Sequence, residues 1–194
     1  MEHELEIEFK NMLIEAEYTS LLHYFFQENS QPVSQRNTYF DTKTLYLKEH
    51  LCAFRIREKD HSAEMTLKTP VDGHHNEYTI PLDNSEAEAL IKQGAFELPD
   101  QLITALKEEG IMIDEPVQKI AQLKTLRYEK KVKTGLIVLD KSWYNDTVDY
   151  ELEVEAATVE SGEQLMTDLL SQFDIPKRPA EKKITRAFSG NLNH

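Results

Sequence analysis

Glu4-Leu5-Glu6-Ile7-Glu8-Phe9-Lys10 opens the chain with charged and apolar residues in strict alternation. A period of two belongs to a strand with one charged face and one apolar face. Carboxylates side by side on one face repel one another, so the face calls for positive charge opposite it. Hard divalent cations, which take carboxylate oxygens, meet that need. The alternative is an acidic face turned to water. The pattern returns at Tyr150-Glu151-Leu152-Glu153-Val154-Glu155. In both stretches the charges are expected in a shared interior. Leu5, Ile7, Phe9, Leu152 and Val154 are expected on the other side, beneath helices.

Strand-like runs of opposite charge lie between the two acidic ones. Arg55 and Arg57 share a face and leave Phe54 and Ile56 on the other. Lys68 stands two residues after Thr66, and Arg127 and Lys131 share the parity of Glu129. Acidic strands at both ends and basic strands between them predict one closed sheet whose charged interior holds a polyanion and its metals.

These residues resemble a known family. Glu6-Ile7-Glu8-Phe9-Lys10 is similar to the Glu-x-Glu-x-Lys signature of the CYTH superfamily, the triphosphate tunnel metalloenzymes. That family includes class IV adenylyl cyclases, thiamine triphosphatases and inorganic triphosphatases. Arg55-x-Arg57, Lys68, Glu77, Arg127, Asp140, Glu151-x-Glu153 and Lys183 extend the resemblance over nearly the whole chain, nearest to the bacterial YjbK-type branch. It implies an α+β fold, a closed eight-stranded antiparallel β-barrel forming a tunnel with a charged interior and helices outside.

The resemblance also implies roles. Glu6, Glu8, Lys10, Arg55 and Arg57 are implied to be catalytic, together with Lys68, Glu77, Arg127, Asp140 and Lys183. Triphosphate contacts fall to Lys10, Arg55, Arg57, Lys68, Arg127 and Lys183. Arg186 joins them because it lies three residues from Lys183 on one helix face. Glu6, Glu8, Glu151 and Glu153 are implied to hold Mg²⁺ or Mn²⁺. The family has Ser-Lys where this chain has Lys182-Lys183, and Lys183 is taken as the residue facing the tunnel. Glu4 and Glu155 have the inward parity but lie outside the motif. Trp143 and Tyr144 are read as aromatic core. The implied activity is metal-dependent hydrolysis of inorganic triphosphate or a small organic triphosphate. Cyclisation in the manner of a class IV adenylyl cyclase, and non-catalytic polyphosphate binding, stay open as alternatives.

Composition narrows the setting. A length of 194 residues suits a single domain, 1–194, with a sizeable core. Hydrophobic content is 40%, and no run approaches the ~20 apolar residues of a membrane span. The acidic N-terminus enters a strand at once and carries no signal peptide. Cys52, the single cysteine, cannot form an internal disulfide, which points to the reducing cytoplasm. It reads as core packing. A net charge of −13 argues against nucleic acid as a partner, because nucleic-acid binding needs a basic footprint. Cations gathered on selected strands suit a small anion in a pocket. The oligomeric state is left open.

The remaining elements follow from pattern and punctuation. Helices are expected over 14–27, over 85–93 (from a Ser85/Glu88 capping box to Gly94), and over 99–109. Two more are expected, from a Ser161/Gln164 box to about Phe173 and from Pro179 to about Phe188. Leu51–Lys59 and Ala63–Thr69 form a hairpin across Asp60-His61-Ser62. His74 and His75 are read as solvated loop histidines ahead of a strand over 77–82.

Overall fold

The structure, a computed structural model, describes residues 1–189. In chain order the elements are β1 (Glu2–Glu6), β2 (Glu8–Leu13), α1 (Glu15–Phe25), β3 (Val33–Asp41), α2 (Tyr46–Glu49), β4 (Ala53–Lys59), β5 (Ala63–Val71) and β6 (His74–Leu82). Then come α3 (Asn84–Gln93), β7 (Ala95–Phe96), α4 (Asp100–Glu108), β8 (Val117–Val132), β9 (Gly135–Tyr144), β10 (Thr147–Glu155), α5 (Val159–Gln172) and α6 (Lys183–Ser189). The fold is α+β around one curled antiparallel sheet in the order β1-β6-β5-β4-β3-β8-β9-β10-β2, with β7 paired to β8.

The opening stretch, expected as one strand, is split at Ile7. Glu6 pairs across to His75 of β6, whereas Glu8 pairs across to Glu155 of β10. One segment of chain therefore supplies both ends of the strand order. The alternation survives the break: Glu4, Glu6, Glu8 and Lys10 line a common cavity, and Phe9 packs with the apolar cluster on the other face. Leu152 and Val154 are fully buried as expected, but Leu5 is 56% exposed. Leu5 belongs to β1, which stands at one end of the strand order.

The outer face of the sheet carries two apolar clusters. Phe40, Phe54, Ile56 and Leu67 pack with Ala87 of α3 and Leu102 and Leu106 of α4. Leu139, Leu152 and Val154 pack with Leu21 of α1 and Met166 and Leu169 of α5. Gly162 lets α5 seat on β2, because a Cβ there would run into the Phe9 ring.

The last helix departs from the expectation of helices outside. Ile184, Ala187 and Phe188 pack on Tyr39, Ala121 and Leu123. Tyr39 lies opposite both Arg55 and Ala121 in the strand register, so these residues belong to the inner, charged face. Thus α6 lies within the concave side. It also starts later than the proline signal predicts. The segment before it is tied down instead: Arg178 N donates to Asn11 Oδ1 at 2.7 Å, and the Arg178 guanidinium clamps Glu17.

Two helix starts lie upstream of their predicted boxes. β6 ends at Leu82, which leaves Asp83 extended as the cap of α3, with Glu86 returning to its backbone N–H. Thr158 caps α5 by accepting from Ser161 N. In both places an equivalent pair of cap residues stood two or three positions earlier. Among the described residues no helix is long and apolar enough to cross a membrane.

Candidate active site

A cavity of about 230 Å³ opens on the inner face. Glu6, Glu8, Lys10, Arg55 and Arg57 all line it, as do Lys68, Glu77, Arg127, Glu153 and Lys183. Ten of the predicted residues are thereby brought to one place from β1, β2, β4, β5, β6, β8, β10 and α6. Glu4 and Glu155, which parity alone had suggested, line it too, along with Glu129. Both Lys182 and Lys183 reach it. Lys183 is the deeply held one, while Lys182 donates to the Leu51 carbonyl at 3.2 Å.

Asp140, Glu151 and Arg186 do not line the cavity but sit directly behind its wall. Asp140 is fully buried and takes a two-pronged bond from Arg127, at 2.9 and 2.7 Å. Glu151 is buried against Lys183 at 3.2 Å and is gripped by Arg186, which also holds Asp149. Tyr144 donates to the same Asp149 at 2.7 Å, so its hydroxyl is occupied within this network.

Glu153 joins the two layers. Its carboxylate meets Lys10 at 3.2 Å, Arg127 at 2.7 Å and Lys183 at 2.5 Å. Burial alone would raise its pKa, but Lys10, Lys183 and Arg127 hold it well below the usual carboxylate range. On the opposite wall Lys68 pairs with Glu6 and, at 3.0 Å, with Glu77. Against the pull of burial, Lys68 and Arg55 bring the Glu77 carboxyl down to about 2.

The arginines of β4 lack the two-pronged carboxylate pairing of Arg127. Arg57 bonds Asn37 at 3.0 Å and Glu64 at 3.2 Å. Burial and the neighbouring Arg55 and Arg127 still push it down to about 10. Arg55 forms no ion pair among the described residues, and its Nε is buried without a hydrogen-bond partner. An unpaired buried guanidinium is costly, and an entering anion relieves that cost.

His75 is the residue the sequence reading missed. It lies on β6, not in a loop, and it lines the cavity. Its Nδ1 is buried and unpartnered. Burial, with Lys182 and Lys68 close by, pushes the imidazole down to about 4, so the ring is neutral at pH 7. Counting back by two from Glu77 would have placed it on the inner face. Glu6, Glu8 and His75 bring three ligand atoms within 4.8 Å of one another. Carboxylate oxygens with an orphaned neutral nitrogen are a donor set that fits a divalent cation.

Fold and cavity together define a concave antiparallel sheet whose inner face gathers carboxylates beside guanidinium and ammonium groups. The chain belongs to the CYTH domain family, whose model matches residues 4–188. It is 37% identical over 188 residues to a Bacillus subtilis protein named "Putative triphosphatase YjbK", covering 97% of this chain and 96% of that one. The crystal structure of a "putative adenylate cyclase" from Bacillus halodurans superposes with a TM-score of 0.87 at 31% identity, covering 97% of this chain and all of that one. A Hippeastrum structure shares the fold at 20% identity, with a TM-score of 0.69 over 96% of this chain and 95% of that one.

Two outcomes follow from this geometry. Lys183→Met leaves Asp140, Glu151 and Glu153 short of a buried partner. It is expected to cost about 3–5 kcal/mol of stability in urea denaturation. A loss below about 1 kcal/mol would mean that the lysine is dispensable to the fold. The second concerns Glu155, which burial and the Glu153 charge raise to about 7 despite Arg127. A carboxyl raised in the folded state binds its proton more tightly there than in the unfolded chain. The stability it contributes is complete below pH ~4.5 and is lost as pH rises through about 7. Glu155→Gln removes that loss, so the variant should gain on wild type between pH 5 and pH 8. A constant difference between the two proteins across that range would contradict the shift.

Proposed function

We propose that this protein is a metal-dependent hydrolase of inorganic triphosphate or a small organic triphosphate, built as one domain. The segment through Ile7 is proposed to close the sheet into an eight-stranded tunnel, since β1 and β2 stand at the two ends of the strand order and follow one another in the chain. The observation that carries the reading is the unpaired Arg55 guanidinium in a cavity that also holds Arg57, Lys68 and Arg127. Planar guanidinium groups bind phosphate oxygens in pairs. Several cations converging from different strands suit the charge of a triphosphate.

In the proposed reaction Arg55 and Arg57 seat the phosphates from β4, and Lys10, Lys68, Arg127 and Lys183 complete the cationic lining. Glu77 orients Lys68, and Asp140 orients Arg127 and Lys183. Glu6 and Glu8 would hold Mg²⁺ or Mn²⁺ at the cavity surface, with Glu153 on the neighbouring β10 as a further carboxylate; Glu151, behind the cavity wall, supports Lys183. A bound divalent ion supplies Lewis acidity to the phosphoryl group and to water. The chain's own part is positioning and charge stabilisation, which dominate phosphoryl transfer.

Two other readings have support of their own. The name carried by the Bacillus halodurans structure favours a cyclase. A cavity of about 230 Å³ is below the ~300–1,000 Å³ common for drug-sized ligands, which favours triphosphate over a whole nucleotide. A pure polyphosphate binder would gain affinity by losing Glu6, Glu8, Glu153 and Glu155, and all four are present.

Phosphate release measured with triphosphate, thiamine triphosphate, ATP and long polyphosphate tests the reading. Turnover is expected with triphosphate or a small organic triphosphate, and it should stop with chelator. Arg55→Ala should lower kcat/KM about 10- to 100-fold, matching the loss of a charged hydrogen bond worth ~1.5–3 kcal/mol, without lowering thermal stability. Cyclic nucleotide from ATP with no release from triphosphate would establish the cyclase instead. Tight triphosphate binding with no release under any divalent ion would establish the binding module.

A further inference from the structure

We infer that His75 is a nitrogen ligand of the divalent cation, completing a Glu6–Glu8–His75 site that favours Mn²⁺ over Mg²⁺. The inference deepens the hydrolase reading and rests on it for the presence of a cation. Three features carry it. The strand register sets His75 directly across from Glu6 on the inner face, and Glu8 follows Glu6 with the same parity. One ring nitrogen of His75 and one carboxylate oxygen from each glutamate lie within 4.8 Å of one another. Opposite ligands of a single small ion, each ~2.1 Å from it, stand ~4.2 Å apart, so modest rotamer adjustment closes the set. Finally, His75 Nδ1 is shielded from solvent and bonded to nothing, although a buried ring nitrogen without a partner costs stability.

Lys68 shows how the charge is managed without the ion. Its ammonium rests between Glu6 and Glu77, 4.0 Å from Glu8. A cation at Glu6, Glu8 and His75 leaves Lys68 to Glu77 and turns it toward the anion. The ligand chemistry sets the preference. Mg²⁺ demands oxygen ligands and near-ideal octahedral geometry, whereas imidazole nitrogen is better suited to transition metals. Of the two hard ions that the carboxylates admit, Mn²⁺ is the one that gains from His75.

The test uses the full chain and the metal alone. Calorimetric titration with MnCl₂ and MgCl₂ is run on wild type and on His75→Phe, with thermal unfolding as the check of folding, and is repeated with triphosphate present. Electron spin-echo modulation of bound Mn²⁺ then reads directly coordinated ¹⁴N. Wild type should show nitrogen coupling that His75→Phe lacks. The variant should lose roughly tenfold or more in Mn²⁺ affinity, with a much smaller change for Mg²⁺. His75→Asn, which returns one polar ligand atom, should restore part of the affinity without the nitrogen signature. Overturning results are Mn²⁺ bound by wild type with no ¹⁴N coupling, equal affinities in wild type and His75→Phe, or no Mn²⁺ binding by wild type with or without triphosphate. Nitrogen coupling present in a protein that releases no phosphate would support this ligand and overturn the hydrolase reading alone.

Discussion

A single carboxylate, Glu153, holds the inner face together. It draws in Lys10 from β2, Arg127 from β8 and Lys183 from α6, and it is almost fully buried. Burying a charge is costly unless it is paired, and here each cation also needs the carboxylate. Arg127 and Lys183 both reach on to Asp140, and Lys183 to Glu151. The charges therefore form a mutually satisfied set that spans strands from both ends of the chain. No pair could be removed without stranding a partner. This constraint explains why α6 lies inside the concave face: Lys183, its first residue, is pulled into the network, and Ala187 and Phe188 then settle on Tyr39, Ala121 and Leu123.

The opposite wall is built on a different balance. There Arg55 forms no ion pair among the described residues, and Arg57 is pressed down by burial and by the positive groups around it. Glu155, which lines the same cavity, is pushed up to about 7 by burial and by the Glu153 charge. Arg127 reaches Glu155 only at 4.0 Å, so the carboxylate keeps little of the compensation that Glu153 enjoys. A phosphate chain with a divalent cation would relieve the arginines and Glu155 at once. The cavity's unsatisfied electrostatics thus describe the ligand that would complete it.

Much of this was legible in residue order. Alternation identified the inner face of β1, β2, β4 and β10, because strand parity is a geometric constraint that tertiary packing rarely overrides. Ten site residues were readable for that reason together with the family resemblance. Other features were hidden for physical reasons. The break at Ile7 changes hydrogen-bond partners without changing parity, so alternation carries no trace of it. Leu5 is apolar in the right register yet exposed, because parity shows which face a residue takes and not whether a helix covers it. Asp140, Glu151 and Arg186 share the charge signature of cavity residues but are consumed by pairing behind the wall. His75 was obscured by the adjacent His74 and by the preceding Asp72-Gly73 turn, which made the strand look shorter than it is.

The most direct measurement is a crystal structure of the protein with triphosphate and Mn²⁺ at low temperature, with anomalous scattering recorded at the manganese edge. The expected result is a phosphate chain against Arg55 and Arg57, and an anomalous peak at Glu6, Glu8 and His75. Triphosphate bound outside the cavity, or a manganese peak remote from Glu6 and Glu8 with Arg55 still unpaired, would contradict the assignment of this cavity as the place where anion and metal meet.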